Sequence, residues 1–224
     1  MVSEALGSRR TSVRSGLLWL GVVAPVYYAV VDGLLVSRYE GYRLTEHTVS
    51  ELFAIGAPTA ALAVPLMLVY SVMAIAFGCG VWLSAGGRRA LRVVAVALVV
   101  KEVLGIVGTT VGPMHMRGVE PTFTDTLHIT VTALGALCYL VAMGFGAAAF
   151  GRAFRFYSIG TIALLAVGGF MAGRDAGNVP SDLPTPWMGL WERVNIYATM
   201  SWIVVLAVLL LRSHRNPRDR WIHR

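Results

Sequence analysis

A short set of ionisable and polar residues sits where an otherwise apolar chain tolerates them least, and their types are those of acid–base and metal chemistry. Asp32, Lys101, Glu102, Glu192 and Arg193 lie within or at the ends of apolar stretches, and Asp125 and His128 open another. Such groups are expensive in hydrocarbon unless paired or functional. Asp125 and His128 are spaced i, i+3, as are Glu192 and Asn195, which puts each pair on one helical face. His47, Ser50, Glu51, His115 and Trp191 stand close by in sequence.

Three chemistries compete for this set. Glu102, Glu192 or Asp32 would act as a general acid toward a lipid or isoprenoid substrate entering from a bilayer. His115, Asp125 and His128 would alternatively hold zinc, which accepts imidazole nitrogen and carboxylate oxygen, and its bound water would hydrolyse a lipid amide or ester. No HExxH spacing accompanies them. Lys101 and Glu102, near the middle of a long apolar stretch, occupy the depth expected of a proton relay in a carrier. The bland alternative is structural. Asp125 and His128 would cap a helix and pair with Arg117 or Arg193. Neighbours at i, i+1 splay apart, so Lys101 would reach across to Glu192.

The elements that must position these groups are helices in lipid. The chain has 224 residues, 56% of them hydrophobic and only 14% charged, with mean hydropathy +0.67. A soluble domain carries about 25% charged residues. Disorder and an ordinary soluble globule are therefore poor fits. Apolar stretches at 16–36, 59–84, 90–112, 126–150, 157–173 and 188–211 are long enough, or nearly so, to cross about 30 Å of hydrocarbon. Period-two alternation is absent, which disfavours a membrane barrel. The first stretch lacks an A-x-A-like cleavage site and reads as an uncleaved anchor.

Net charge is +7, from 19 Lys+Arg against 12 Asp+Glu. Sorted by connection, 13 of the 19 fall in the tails 1–15 and 212–224 and the second and fourth loops, including Arg9, Arg10, Arg88, Arg89, Arg218 and Arg220. The positive-inside rule then puts both termini in the cytoplasm. The acids Glu40, Glu46, Glu51, Glu120, Asp125, Asp175 and Asp182 gather on the opposite side, with Glu4 and Asp219 the exceptions. The basic C-terminal tail RSHRNPRDRWIHR reads as a stop-transfer and lipid-headgroup anchor and not as a nucleic-acid surface, since no folded basic face with stacking aromatics is evident. Val49, Leu52 and Phe53 suggest a short interfacial helix in the first outer loop, and Trp187 and Trp191 fit an outer aromatic belt. Cys79 and Cys138 fall within helices and read as packed thiols. No internal repeat is evident.

The stretch HTVSELFAIGAPTAAL resembles the signature of a bacterial membrane family called domain of unknown function 998. The resemblance runs from about 16 to 212, through Gly112-Pro113, Asp125 and His128, to Glu192 in GLWERVNIY. It implies Ser50, Glu51, Asp125, His128 and Glu192 as site positions. More remotely the motif looks like the opening of Frag1/DRAM/Sfk1 proteins. A still more distant likeness to alkaline ceramidase-like hydrolases lacks their paired histidines in the final helix, where Glu192 and Asn195 stand.

The expectation is an all-α polytopic membrane protein of a bacterial inner membrane, one domain over 1–224, built as a six-helix bundle. Its outward-facing polar pocket would take a lipid-like or isoprenoid ligand. Asp125, His128, Glu192 and Glu102 are the candidate catalytic groups, and Ser50, Glu51, His47, Asn195, Asp32 and Trp191 the candidate ligand contacts. No cofactor is expected, with zinc on His115, Asp125 and His128 as the alternative. The expected partners are membrane lipids and a lipid-like small molecule, without nucleic acid.

Overall fold

The computed structural model describes residues 2–215, with side chains from 12 to 213. The side chains of Glu4, Arg9 and Arg10, and the tail residues Arg218, Asp219, Arg220 and Arg224, lie outside the described residues. Among the described residues there is no strand, only six long helices and two short 3-10 helices, Val49–Phe53 and Ala176–Asn178. The long helices are α1 (Val2–Arg38), α2 (Ala60–Ser84), α3 (Arg89–Thr110), α4 (Phe123–Ala149), α5 (Arg152–Gly173) and α6 (Met188–Arg215).

Their boundaries follow local chemistry. α4 begins three residues before the expected 126 because Thr122 and Asp125 form a capping box, each satisfying a backbone N–H that the first turn leaves orphaned. α5 begins at Arg152, earlier than 157, with Gly151 as its N-cap. α1 runs N-terminally past the apolar stretch, through residues expected to form a basic tail.

Each helix packs against the next in sequence, and α6 packs back on α1, so the six close into a ring. The α2–α3 and α4–α5 connections, 85–88 and 150–151, are short and lie at one end of it. That end is filled by a hydrocarbon plug from all six helices, including Leu18, Phe77, Leu91, Met143, Phe154 and Trp202. Trp202 has no exposed surface, and its indole N–H donates to Ser158 Oγ at 2.9 Å. A second apolar cluster joins α1, α2, α6 and the 49–53 turn through Tyr28, Leu35, Leu52, Met67, Tyr70 and Met200. The opposite end carries the three long connections.

The outside of the ring is as apolar as its inside. Val30 is 65% exposed, Val72 64%, Ile129 67% and Phe170 70%. A water-soluble surface rarely shows apolar patches on this scale. Five helical segments are long and apolar enough to cross a membrane: Ser12–Arg38, Ala60–Ser84, Phe123–Ala149, Arg152–Asn178 and Met188–Ser213. The chain is thus built as a multi-pass membrane protein.

Candidate functional site

The end of the ring away from the plug is organised around the Val49–Phe53 turn. Thr48 and Glu51 cap it, with Thr48 N–H donating to Glu51 Oε1 at 2.9 Å. The Arg117 guanidinium grips the same carboxylate with two prongs, Nε to Oε2 at 2.9 Å and Nη2 to Oε1 at 3.1 Å. This bidentate geometry is the strong form of the ion pair, and it holds the Arg117 pKa above its ordinary value. Arg117 also donates to Thr185 Oγ1, which donates onward to the Glu46 carbonyl, so three connections are laced together. From the other side, Glu192 Oε2 accepts the Val49 N–H at 2.5 Å. Residues 49 and 51 are therefore each anchored by a distant element, and Ser50 lies between them.

Asp32 and Arg193 tie α1 to α6. Arg193 Nε and Nη2 reach the two Asp32 oxygens at 3.1 and 3.0 Å, and Tyr197 Oη donates to the same carboxylate at 2.9 Å. The guanidinium also donates to Tyr42 Oη at 2.8 Å and to the His47 carbonyl at 3.2 Å. Burial pushes the Tyr42 phenol above its usual pKa. His47 Nδ1 accepts the Arg43 amide at 2.7 Å, and burial lowers its pKa below the ordinary histidine value. α6 can start this close to the loop because position 189 is glycine. A Cβ there would collide with the His47 and Leu44 carbonyls.

Asp125 and His128 share a helical face and do different things. Asp125 accepts from Thr122 N at 2.8 Å, His115 N at 2.7 Å and His115 Nδ1 at 2.8 Å. Its oxygens are spent on capping α4 and holding the 111–122 connection. His128 Nδ1 faces two acceptors, the Gly112 and Gly108 carbonyls at 3.0 and 3.1 Å. Only a protonated Nδ1 satisfies them, so in the neutral ring Nε2 is bare. That bare nitrogen lies 3.0 Å from Ser50 Oγ, whose hydroxyl donates to it.

Ser50, His128, Glu192 and Asn195 open onto a cavity of about 390 Å³ inside the ring. Apolar side chains make most of its wall, among them Phe53, Leu104, Val131, Leu165, Ile196 and Met200. Its far end holds Lys101 and Glu102, about two turns or ~10 Å along α3 from Gly108. The size lies toward the small end of ligand sites, roughly 300–1,000 Å³. Asn195 Oδ1 is buried without a hydrogen-bond partner.

The structure corrects several expected pairings. Lys101 does not reach Glu192. It bends back on its own neighbour, Nζ to Glu102 Oε1 at 2.9 Å, with the Tyr139 ring 5.0 Å and the Tyr70 ring 5.9 Å from the ammonium. Arg117 serves Glu51 and Arg193 serves Asp32; neither pairs with Asp125 or His128. Of the expected residues, the cavity collects Ser50, Glu102, His128, Glu192 and Asn195. Asp32, His47, Glu51, Asp125 and Trp191 do not line it. The suggested zinc set is split, because His115 and Asp125 touch while both His128 nitrogens are engaged elsewhere. Among the described residues no three metal-ligating side chains are gathered. Sequence reasoning passed over Tyr42 and Tyr139. A tyrosine that is half-buried or deeper needs a partner for its hydroxyl, and that was the available signal.

A family model described as protein of unknown function (DUF998) matches residues 22–209. The chain belongs to that family. No curated protein and no solved structure matches.

Proposed function

We propose that the chain crosses a bacterial inner membrane six times, with both termini in the cytoplasm, and holds a lipid-like ligand in the cavity of its ring. α3 is the sixth crossing. Its 22 residues span about 33 Å, and it packs between α2 and α4. The excess of basic residues beside the plugged end supports placing that end inside. The cavity then opens toward the outer leaflet.

The observation that carries the ligand class is the division of the cavity wall. Hydrocarbon side chains form much of its body. The acid–base groups stand as His128 and Glu192 beside Ser50 at one end and the Lys101–Glu102 pair at the other, and the remaining polar lining is neutral, made of hydroxyls such as Ser71, Thr132 and Tyr139 and the Asn195 amide. A molecule with an acyl or isoprenoid body and a compact polar head suits that division. The test is cross-linking with a phospholipid carrying a photoreactive acyl chain, followed by peptide mapping. Cross-links are expected on cavity residues and should fall when Gly135→Leu fills the space from α4. Cross-links confined to the outer faces of the helices and unmoved by Gly135→Leu would refute the reading. Orientation is checked by a single cysteine at Val119, which should label with a membrane-impermeant maleimide only from outside.

A further inference from the structure

We propose that Ser50 and His128 are a nucleophile–base pair that transfers the acyl group of a membrane carboxylic ester. The inference rests on the lipid-occupied cavity and adds a reaction to it. Its geometry is that of an activated serine: a hydroxyl in hydrogen-bond contact with an imidazole whose other nitrogen is oriented by a third group. Here the third group is the pair of carbonyls at Gly108 and Gly112, in place of a carboxylate. Those carbonyls fix the tautomer that leaves Nε2 able to take a proton, and they remain acceptors for Nδ1–H after it does.

The way Ser50 is held argues for more than packing. A turn needing only shape would be secured by Leu52, which is fully buried. Instead the residues on both sides of Ser50 are tied to other elements, Val49 through Glu192 and Glu51 through Arg117, while Ser50 itself faces the cavity. His128 is 8% exposed, with the Phe53 ring centred 6.1 Å from its own. The base is thus shielded from bulk water and open to an acyl chain lying along the apolar wall.

The reaction balances on these atoms and water. Ser50 Oγ bonds to the ester carbonyl carbon as its proton passes to His128 Nε2. The tetrahedral adduct collapses, the carbon–oxygen bond to the alcohol breaks, and the departing oxygen takes the proton from Nε2. Water then attacks the acyl-serine, giving its proton to Nε2. The Ser50 oxygen recovers a proton as the carboxylic acid leaves.

The test uses the full-length protein in detergent micelles and a long-chain alkyl fluorophosphonate. Ser50 Oγ displaces fluoride from phosphorus, leaving a stable phosphonyl-serine detectable by intact mass and peptide mapping. Wild type is expected to carry one adduct, mapped to Ser50, and Ser50→Ala none. His128→Asn keeps a donor for the Gly108 and Gly112 carbonyls and removes the base. It should retain the wild-type melting temperature and label about 100-fold more slowly, the lower end of what a general base contributes. Mapping the adduct in wild type keeps the test valid if Ser50→Ala fails to fold. Absence of an adduct, or an adduct elsewhere, overturns the proposal. If the photoreactive lipid still marks the cavity in that case, the lipid reading survives the loss of the dyad; if it does not, both fall.

Discussion

Replacing Asp32 with asparagine should be among the most damaging conservative changes in the chain. Asp32 is 4% and Arg193 6% exposed, and two hydrogen bonds of 3.0–3.1 Å join them. The substitution keeps the volume and leaves a buried guanidinium without its countercharge. Removing one partner of a buried pair costs about 3–5 kcal/mol. For a chain of this length, each kcal/mol moves the midpoint by roughly 2–4 °C, so Tm should fall by about 6–20 °C. The internal control is Glu46→Gln, whose partner Arg43 is 62% exposed; such a pair is worth about 0–1 kcal/mol. Thermal unfolding followed by tryptophan fluorescence in one detergent compares the two. The combined Asp32→Leu, Arg193→Met change should recover much of the loss, because no unpaired charge remains. If Asp32→Asn melts within about 2 °C of Glu46→Gln, or the double variant loses the sum of its singles, the pair is not a buried unit and the reasoning fails.

Arg117→Lys keeps the charge and loses the two-pronged grip on Glu51; a loss of about 1.5–3 kcal/mol is expected, read as faster limited proteolysis of the 39–59 connection. Gly168→Ala would place a Cβ inside the Asn195 side chain, prising α5 from α6 at a cost of about 1–3 kcal/mol, and Asn195→Ala in the same chain should restore the melting temperature. His47 contributes a pH dependence whose sign follows from its lowered pKa. Above pH ~6.5 the ring is neutral in both folded and unfolded chains and its contribution is complete; as pH falls through 6.5 toward the folded pKa, the unfolded chain binds the proton first and stability drops. His47→Gln should flatten that part of a melting-temperature profile, and an unchanged slope would refute the assignment.

The helical architecture was legible because lipid imposes it. An apolar run without period-two alternation leaves few other ways to satisfy the backbone. Both capping boxes, Thr48-x-x-Glu51 and Thr122-x-x-Asp125, also carry a recognisable spacing, and the second bears out the structural alternative for Asp125 as a cap of α4 while moving the start of the helix ahead of the expected 126. Pairings between elements were another matter. Ser50 and His128 are 78 residues apart, and Asp32 and Arg193 are 161 apart, so no local spacing announces either contact. Lys101 illustrates the reverse error. The rule that adjacent helical residues diverge holds for Cβ directions, yet a lysine has a long enough stem to curl back to Glu102 when two tyrosine faces flank its ammonium. The separation of Asp125 from the cavity follows from competition. Four donors on Thr122 and His115 claim its oxygens before any substrate could.

Among the described residues, the buried plug around Trp202 closes one end of the ring and gives it the form of a cup. Burying an indole removes about 200 Å² from solvent, worth roughly 5 kcal/mol at about 25 cal/mol per Å². A through-passage that required its withdrawal into water would be open less than about once in a thousand visits. Whatever enters the cup must leave by the same mouth or sideways between helices. Under the acyl transfer proposed for Ser50 and His128, a product that leaves by the mouth stays on the side from which its ester entered, and turnover should be indifferent to the membrane potential.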